Sequence, residues 1–266
     1  MCAYTFITGA TGGIGLEFAR IFAKEKHSLV LVARNGERLG EIKTSLEADY
    51  GIRVETIACD LADDNAVEQI FRYTEEKGWQ VDILINNVGF GDHNCYFDTA
   101  WERQKNMIDI NITALAQLTY LYGAKMRENR RGRILNVASV AAFCAGPYMS
   151  VYYASKSFVL SFSEALSEEL SPYGVTVSVL CPGPVNTAFE KNAGLEDSKM
   201  FKILRVSDPA SVARAGYRGL MKGKALVYCG PITKLGNVCF RLLPRALSRK
   251  LTKYINVAKE DGKRKI

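Results

Sequence analysis

Short apolar segments alternate with longer amphipathic segments along most of the chain. Runs of aliphatic and β-branched residues predict seven strands, at 4–8, 28–33, 53–58, 82–86, 132–139, 175–181 and 225–229. The segments between them have helical spacing, near 14–26, 36–50, 63–77, 100–127, 151–171 and 208–222. The predicted strands are mostly apolar on both faces, as in a parallel sheet that helices cover on both sides. The pattern therefore predicts an α/β fold with a doubly wound, seven-stranded parallel sheet flanked by helices.

Length and composition indicate one globular domain. The chain has 266 residues, of which 48% are hydrophobic and 24% are charged, as is ordinary for a globular α/β protein of this size. No internal repeat, low-complexity tract or Pro/Ser-rich linker divides it. We expect residues 1–230 to form the main domain and residues 231–266 to be a C-terminal helical extension of the same domain.

Charge and cysteine usage exclude several classes of protein. The net charge of +7 is moderate and no nucleic-acid-binding module is visible, so no nucleic-acid partner is expected. The seven cysteines are scattered without a CxxC pair, and there are only two histidines, which fits neither a zinc site nor a disulfide framework. His93 and Cys95 have no further ligands nearby in the sequence, so they are expected to pack at the surface or at a pocket rim, and no metal is expected.

The N-terminal residues enter a strand-like run directly, without the basic and apolar regions of a signal peptide. No stretch reaches the ~20 apolar residues that a membrane-spanning helix needs. We therefore expect a reducing, cytoplasmic location.

A glycine-rich turn, "TGATGGIG" at 8–15, lies between the first predicted strand and the first predicted helix. Gly9, Gly13 and Gly15 allow a tight turn, a close approach of the backbone to a pyrophosphate, and close helix packing, while the helix N-terminus faces the phosphate charge. A glycine-rich turn alone is weak evidence, but its strand–turn–helix context strengthens it. The turn indicates a Rossmann fold that binds a dinucleotide.

The end of the second predicted strand indicates which dinucleotide is bound. Ala33 and Arg34 stand where a carboxylate would hold the ribose hydroxyl of NAD. A guanidinium there can pair with the 2′-phosphate of NADP, so Arg34 favours NADP(H), although it can also be a solvated residue at a strand end. Asp60 ends the third strand, where it either accepts from the adenine amino group or caps the next helix.

Two adjacent tyrosines precede a lysine in "VYYASKSF" (151–158). On a helix, Tyr152 shares a face with Lys156 at i, i+4, and Tyr153 does so at i, i+3, so spacing alone leaves both open. An ammonium group near a tyrosine stabilises the phenolate, so we expect the paired tyrosine to have a pKa below its ordinary value near ~10.

Several motifs in order resemble those of the short-chain dehydrogenase/reductase family over residues 4 to about 230. They are the glycine-rich turn, "NNVG" (86–89), Asn111 in "IDINIT", Ser139, "YYASK" (152–156) and "CPGPVNT" (181–187). Val88 departs from the alanine that is most common in the family's Asn-Asn-Ala-Gly run, which adds bulk and removes no chemical group.

The resemblance implies the roles of individual residues. It selects Tyr152 as the acid–base group, with Ser139 on the substrate oxygen, Lys156 on the nicotinamide ribose, and Asn111 holding a water that links Lys156 to solvent; Tyr153 then points into packing. Thr187 is implied to bind the carboxamide. The full implied cofactor set is Gly9, Thr11, Gly13, Ile14, Gly15, Arg34, Asp60, Leu61, Asn87, Gly89, Tyr152, Lys156, Pro182, Gly183, Val185 and Thr187.

The implied activity is NADPH-dependent reduction of a carbonyl, reversibly oxidising a secondary alcohol. The segments 89–97, 141–149 and 188–205 are expected over the site, and their aromatic and methionine residues favour a hydrophobic, steroid-like ketone. The aromatic residues include Phe90, Phe97, Phe143 and Phe189. Two alternatives are a 3-oxoacyl thioester reductase and a non-catalytic NADP-binding sensor.

The C-terminal segment 231–266 mixes leucines with lysines and arginines at helical spacing. A basic amphipathic helix is typical of peripheral membrane contact, but the segment can equally cover the substrate cleft or form a subunit interface. The resemblance further implies a homo-oligomer, dimer or tetramer, that pairs the helices at 100–127 and 151–171.

Overall fold

The computed structural model describes residues 3–195 and 206–257. The strands in these residues are β1 (Ala3–Thr8), β2 (Ser28–Ala33), β3 (Val54–Ala58), β4 (Gln80–Asn86), β5 (Gly132–Val137), β6 (Val175–Cys181) and β7 (Leu226–Tyr228). The α-helices are α1 (Gly13–Lys24), α2 (Gly36–Tyr50), α3 (Ala66–Glu76), α4 (Trp101–Ile108), α5 (Leu115–Glu128), α6 (Ser150–Leu170), α7 (Ala188–Asn192), α8 (Pro209–Met221), α9 (Pro231–Leu242) and α10 (Arg245–Asn256). Short 3₁₀ turns occupy Tyr96–Asp98, Val140–Phe143 and Ser171–Tyr173.

All seven strands form one parallel sheet in the order β3-β2-β1-β4-β5-β6-β7. The predicted α/β doubly wound fold is therefore confirmed. The winding direction reverses between β1 and β4, so the loops after these two strands diverge and leave a crevice at their carboxyl ends. The glycine-rich turn follows β1 and "NNVG" ends β4, which places both motifs in this crevice.

Alternate residues of each strand enter two separate cores. Ile7 of β1 packs with Phe18 and Phe22 of α1, on the face that α2 and α8 also cover. The neighbouring residue Phe6 points to the other face, where its ring lies 5.0 Å from that of Tyr122 in α5. Burial on both faces fixes the strand register, because a shift of one residue would exchange the two sets of side chains.

The long helical segment between β4 and β5 is interrupted by a π-helical turn. Residues Asp109–Ala114 form this turn between α4 and α5. Asn111 lies in it and is completely buried. The extra residue of a π turn rotates the helix that follows, and such turns are frequent at functional sites.

A chain of buried polar side chains ties the sheet to its helices behind the crevice. Asn86 donates to Thr119 Oγ1 at 3.0 Å and to Asn136 Oδ1 at 2.9 Å, and Asn136 donates to Ser163 Oγ at 2.9 Å. These bonds join β4, β5, α5 and α6 in one network. These bonds hold the carboxyl ends of β4 and β5 in place relative to α5 and α6.

The C-terminal segment forms helices α9 and α10 rather than a single helix. Helix α9 packs against β7 and the turn Val140–Phe143. Residues 258–266 lie outside the described residues. None of the helices in the described part of the chain combines the length and the hydropathy needed to cross a membrane.

Candidate active site

A cavity of about 360 Å³ lies in the crevice between β1 and β4. On one side it is bounded by the glycine-rich turn, and on the other by the tyrosine pair of α6. Most residues of the predicted cofactor set line it: Gly9, Thr11, Gly13, Ile14, Asn87, Gly89, Tyr152, Lys156, Pro182, Gly183, Val185 and Thr187. The fold thus brings together residues from four separate sequence motifs.

The glycines of the turn are needed at their positions for different structural reasons. Gly9 and Gly13 have φ values of 67° and 52°, in the left-handed region that side chains disfavour. Gly15 does not line the cavity; a Cβ there would lie 2.2 Å from the carbonyl oxygen of Gly9, so only glycine lets α1 approach β1. Gly12 and Gly183 line the cavity with open space beside them, so side chains there would occupy it. The cradle fits a dinucleotide, whose pyrophosphate would meet the N-terminus of α1.

Thr8 holds the two halves of the crevice together, a role that sequence reasoning missed. Its hydroxyl accepts from the backbone amides of Asn87 at 2.9 Å and Val88 at 3.1 Å. Asn87 Nδ2 in return donates to the Thr8 carbonyl at 2.9 Å. Thr8 is the first residue of the glycine-rich motif, but nothing local in the sequence indicates a partner 79 residues away.

A second opening of about 690 Å³ continues from the turn towards β2 and β3. Arg34, Asp60 and Leu61 line it, and the Arg34 guanidinium lies 3.6 Å from the Asp60 carboxylate. The Arg34 side chain is 75% exposed, so the guanidinium remains accessible to an anion. Asp60 does not cap the following helix, because α3 begins at Ala66, and Asp60 instead accepts from the amide of Ala62 at 3.1 Å.

Tyr152, Ser139 and Lys156 meet at the inner end of the cavity. The side chains of Ser139 and Tyr152 interact there, and the Ser139 hydroxyl acts to lower the pKa of the Tyr152 phenol. Ser139 also caps the turn Val140–Phe143 by accepting from the amide of Ala141 at 3.1 Å. Lys156 is buried, and its Nζ donates to the carbonyl of Val137 at 2.9 Å. The lysine is thus anchored to the end of β5, one helical turn after Tyr152.

Burial dominates the protonation of this site. Loss of solvation raises the pKa of Tyr152 to about 12, and the hydrogen bond with Ser139 offsets only part of that rise. The same loss lowers the pKa of Lys156 to about 8. The predicted lowering of the tyrosine pKa by the ammonium is therefore wrong for this structure, because desolvation disfavours both charged forms. At neutral pH the phenol of Tyr152 holds its proton.

Asn111 does not line the cavity, but its hydrogen bonds hold the backbone around the site in place. Its amide exchanges two hydrogen bonds with the backbone of Phe90, at 3.1 Å and 2.9 Å, and donates to Ser155 Oγ at 3.0 Å. Ser155, which sequence reasoning also missed, donates to the carbonyl of Tyr152 at 2.7 Å. A Cβ on Gly89 would lie 3.0 Å from Asn111 Oδ1 and 3.1 Å from Lys156 Nζ. A side chain at position 89 would therefore intrude between these two groups.

Tyr153 is buried and lines the edge of the cavity, and its hydroxyl has a partner far away in the sequence. It donates to Oδ1 of Asn256, at 3.1 Å, near the end of α10. Asn256 Nδ2 donates to the carbonyl of Pro147 at 3.0 Å, and the Asn256 carbonyl lies 2.5 Å from His93 Nε2. Asn256 is completely buried. One residue of the C-terminal extension thus joins both loops beside the cavity to α6.

The aromatic residues predicted over the site have different positions. Phe90 and Phe189 line the cavity, and the Phe189 ring lies 5.3 Å from that of Tyr152. Phe97, in the short turn Tyr96–Asp98, is 94% exposed and does not line the cavity, so the prediction of a place for it in the lining is wrong. Phe143 faces a different cavity. Residues 196–205 of the third predicted segment lie outside the described residues.

The described residues contain no group of three or more side chains placed to hold a metal ion. His93 bonds to the backbone at the end of α10, whereas Cys95 is exposed. The six cysteines in the described ranges are all free thiols.

A family model for short chain dehydrogenases matches residues 3–198 of this chain. The chain is 36% identical over 195 residues to 17-beta-hydroxysteroid dehydrogenase type 3 of Homo sapiens, covering 72% of this chain and 62% of that protein. It is 35% identical over 222 residues to the very-long-chain 3-oxoacyl-CoA reductase of Coprinopsis cinerea, covering 80% of this chain and 61% of that protein. The chain therefore spans less than two thirds of the length of either relative.

A solved structure agrees with the architecture over nearly the whole chain. The short-chain dehydrogenase from Sphingobium yanoikuyae in complex with NADPH superposes with a TM-score of 0.80 at 27% identity, covering 92% of this chain and 98% of that one. The sheet order, the crevice and the family match therefore lead to the same conclusion: this chain belongs to the short-chain dehydrogenase family.

Proposed function

We propose that this protein is an NADPH-dependent oxidoreductase that reduces the carbonyl group of a hydrophobic substrate, and that oxidises the corresponding secondary alcohol in reverse. The observation that carries the proposal is the Ser139–Tyr152 hydroxyl pair at the inner end of the cavity, with Lys156 buried one turn behind it. An oxidoreductase of this kind needs a proton donor and a hydrogen-bond donor at one carbonyl oxygen, and these two hydroxyls supply both.

Bound NADPH would supply the hydride. Tyr152 transfers its proton to the carbonyl oxygen, because its phenol remains protonated at neutral pH with a pKa of about 12. Ser139 donates a hydrogen bond to the same oxygen while negative charge develops on it. Lys156, whose pKa is about 8, returns a proton towards Tyr152, and Asn111 keeps the loop at Phe90 in place. Asn111 is also proposed to hold a water beside Lys156, the role that the family resemblance implies for it.

Preference for NADPH over NADH is proposed from the opening at β2. Arg34 is largely exposed. Among the described residues, its guanidinium forms an ion pair only with the Asp60 carboxylate, and the 3.6 Å between them is long for such a pair. A 2′-phosphate would offer a guanidinium a doubly charged partner in place of a single carboxylate. The NADPH complex of the Sphingobium yanoikuyae relative supports the same choice.

A hydrophobic ketone is the proposed substrate class. Phe90, Met149 and Phe189 line the cavity beside Tyr152, and they offer an apolar surface with few polar anchors. The name of the human relative refers to hydroxysteroids, which supports a steroid-like ketone. The name of the fungal relative supports a second candidate, a long-chain 3-oxoacyl thioester.

The test is the rate of NADPH oxidation over a panel of steroid ketones, aliphatic ketones, aldehydes and 3-oxoacyl thioesters. We expect efficient turnover of the hydrophobic ketones. Efficient turnover of only small polar carbonyls or of 3-oxoacyl thioesters would overturn the substrate assignment. NADPH binding without turnover of any substrate would instead favour a non-catalytic sensor.

We also propose that α9 and α10, as part of the same domain, contact an anionic membrane surface. Helix α10 buries its small polar residues Ser248, Thr252 and Asn256 and leaves apolar ones exposed, which reverses the usual arrangement. The exposed apolar side chains on the two helices are Leu235, Val238, Leu242, Leu247, Leu251 and Tyr254. Exposed lysines and arginines surround them: Lys234, Arg245, Arg249, Lys250 and Lys253. This combination suits anionic headgroups above an apolar layer.

The membrane proposal is tested by sedimentation with phosphatidylcholine vesicles with and without phosphatidylserine. We expect salt-sensitive binding only to the vesicles with phosphatidylserine, and weaker binding for Leu247→Ser/Leu251→Ser. The control Tyr73→Ser, which removes a similarly exposed ring from α3, should bind normally. Absence of vesicle binding, or burial of this surface between two copies of the chain, would overturn the proposal.

A homo-oligomer that pairs α5 and α6 remains our proposal for assembly. The outer faces of these helices expose Tyr120 and Phe158, and the Phe158 ring stacks on that of the half-buried Phe162, with ring centroids 5.4 Å apart. Exposed aromatic residues of this kind are enriched in interfaces. Light scattering at micromolar concentration should show more than one chain per particle, and Tyr120→Glu should shift that particle towards a monomer. A monomeric wild-type protein would exclude this assembly.

A further inference from the structure

A further cavity, of about 650 Å³, lies between the turn Val140–Phe143 and the two C-terminal helices. We call it the tail chamber. Its lining is mainly apolar and includes Phe143, Cys144, Pro184, Phe240 and Ile255. Volumes of this order are typical of sites for drug-sized ligands. The chamber lies where α9 packs against β7 and the turn Val140–Phe143, and both α9 and α10 contribute lining residues, so the C-terminal extension forms one side of it.

The tail chamber adjoins the cavity that contains Tyr152. The two cavities share five lining residues, Val140, Ala141, Tyr153, Gly183 and Pro184. Two of these five follow Ser139 directly in the sequence. If NADPH occupies the opening at Arg34, a substrate whose carbonyl lies at Ser139 and Tyr152 has the adjoining tail chamber as space for the rest of its body.

One buried polar group in the tail chamber has no partner. Asn237 of α9 lines the chamber and is only 4% exposed. Its Nδ2 donates to the hydroxyl of Tyr228, whereas its Oδ1 has no hydrogen-bond partner among the described residues. Leaving a buried amide oxygen unpaired costs about 1–3 kcal/mol, and a donor group on a molecule bound in the chamber would offset that cost.

We infer that the tail chamber binds the apolar body of the substrate and that Asn237 Oδ1 accepts a hydrogen bond from a hydroxyl group at its far end. The inference rests on the proposed function and specifies its substrate class: an apolar ketone that carries a hydroxyl remote from the reacting carbonyl. A 3-oxoacyl chain without such a hydroxyl would fill the chamber but leave Oδ1 of Asn237 without a donor.

Chain-length dependence provides the first test. In a series of methyl ketones from hexan-2-one to tetradecan-2-one, each further buried methylene should raise kcat/KM by up to roughly fourfold until the chamber is full. A Cβ on Gly236, which lines the chamber, would have no atom within 4 Å, so leucine has room there. Gly236→Leu places four carbons in the chamber, so the plateau, the chain length beyond which kcat/KM stops rising, should move to ketones about four carbons shorter.

The matched control is Gly40→Leu, the same substitution at an exposed helical glycine of α2 that also has no atom within 4 Å of its Cβ position. Both substitutions favour the helix by about 1 kcal/mol, so neither threatens folding. Only Gly236→Leu should lower the ratio of kcat/KM for long ketones to that for short ketones.

The role of Asn237 is tested with the same series carrying a terminal hydroxyl. At the chain length that reaches Asn237, the hydroxylated ketone should gain roughly fivefold in affinity over its neighbours in the series, as one net hydrogen bond allows. Asn237→Leu should abolish that gain. Calorimetric Kd values measured on Tyr152→Phe protein with NADPH give this comparison without turnover.

The outcomes separate the inference from the proposed function. If kcat/KM rises with chain length and Gly236→Leu shortens the plateau, the tail chamber binds the substrate. A flat length dependence, or equal plateaus in Gly236→Leu and Gly40→Leu, overturns the inference while leaving carbonyl reduction intact. If no ketone is reduced, the proposed function fails, and the calorimetric series alone decides whether the chamber binds hydroxylated apolar chains.

Discussion

The two adjacent tyrosines should give opposite results when each hydroxyl is removed. The Tyr152 hydroxyl faces the cavity and bonds to Ser139, which keeps a second partner in the amide of Ala141. The Tyr153 hydroxyl donates to Asn256 Oδ1 at 3.1 Å in a completely buried position. The substitutions Tyr152→Phe and Tyr153→Phe remove the same single atom, so any difference between them comes from the surroundings.

The structure sets the magnitude of each effect. Loss of a general acid should lower kcat by about 100- to 10,000-fold in Tyr152→Phe. The same change should cost about 1 kcal/mol or less in stability, because Ser139 remains hydrogen-bonded. Tyr153→Phe leaves Asn256 Oδ1 buried without its donor, so it should lower the free energy of unfolding by about 1–3 kcal/mol while turnover continues.

Three measurements on the same preparations check these values. NADPH oxidation with a hydrophobic ketone gives kcat, a fluorescence titration gives the Kd for NADPH, and urea unfolding gives the free energy of unfolding. We expect the Kd for NADPH to stay near its wild-type value in Tyr152→Phe. The double variant Tyr153→Phe/Asn256→Ala should lose less stability than the sum of the single changes, because both remove the same bond.

Reversed behaviour would refute the reasoning. If Tyr153→Phe abolished turnover while Tyr152→Phe remained active, the face of α6 assigned to the cavity would be wrong. If Tyr152→Phe and Tyr153→Phe instead lost the same stability, the assignment of Asn256 as a partner of Tyr153 and not of Tyr152 would be refuted.

Three further predictions concern the cofactor, the turn and the buried lysine. Arg34→Ala should lower kcat/KM with NADPH by about 10- to 100-fold and leave kcat/KM with NADH unchanged, when the two cofactors are measured side by side. A higher kcat/KM with NADH than with NADPH for the wild-type protein would contradict this prediction. Gly15→Ala should destabilise the fold by about 1–3 kcal/mol in urea unfolding, because its Cβ would meet the Gly9 carbonyl oxygen at 2.2 Å, whereas Gly40→Ala should be neutral or stabilising. The pKa of Lys156 is lowered to about 8, so as the pH rises the folded state releases this proton before the unfolded state does. The free energy of unfolding of the wild-type protein, relative to that of Lys156→Met, should therefore rise between pH 8 and about 10, by about 3 kcal/mol in all. A pH-independent difference between these two proteins would show that the lysine is not desolvated.

The strand and helix pattern was predictable because each element depends on near neighbours. The predicted strand 28–33 and helix 36–50 match β2 and α2 residue for residue. The alternation of buried residues that Phe6 and Ile7 illustrate follows from the period of a strand. The positions of Gly9 and Gly13 were predictable for the same reason, since φ is a local property of one residue.

The pairings across the site were not predictable from local pattern. Thr8 and Asn87 are 79 residues apart, and Tyr153 and Asn256 are 103 residues apart. Neither Thr8 nor Asn256 differs from an ordinary polar residue until the sheet and α10 bring its partner close. Family resemblance named the residues that line the cavity, but not the residues that hold them in place.

The sequence by itself determined the order of strands and helices, the glycine turn, and the spacing that puts Tyr152 one helical turn before Lys156. Each of these depends on backbone geometry and on residues within a few positions of one another. Only the tertiary structure decided that Tyr152 has a raised pKa and not a lowered one, that α10 buries its polar stripe, and that Oδ1 of Asn237 has no partner among the described residues around the tail chamber. Desolvation and unpaired hydrogen-bonding groups depend on every atom packed around a side chain, and that packing is set by contacts between distant parts of the chain.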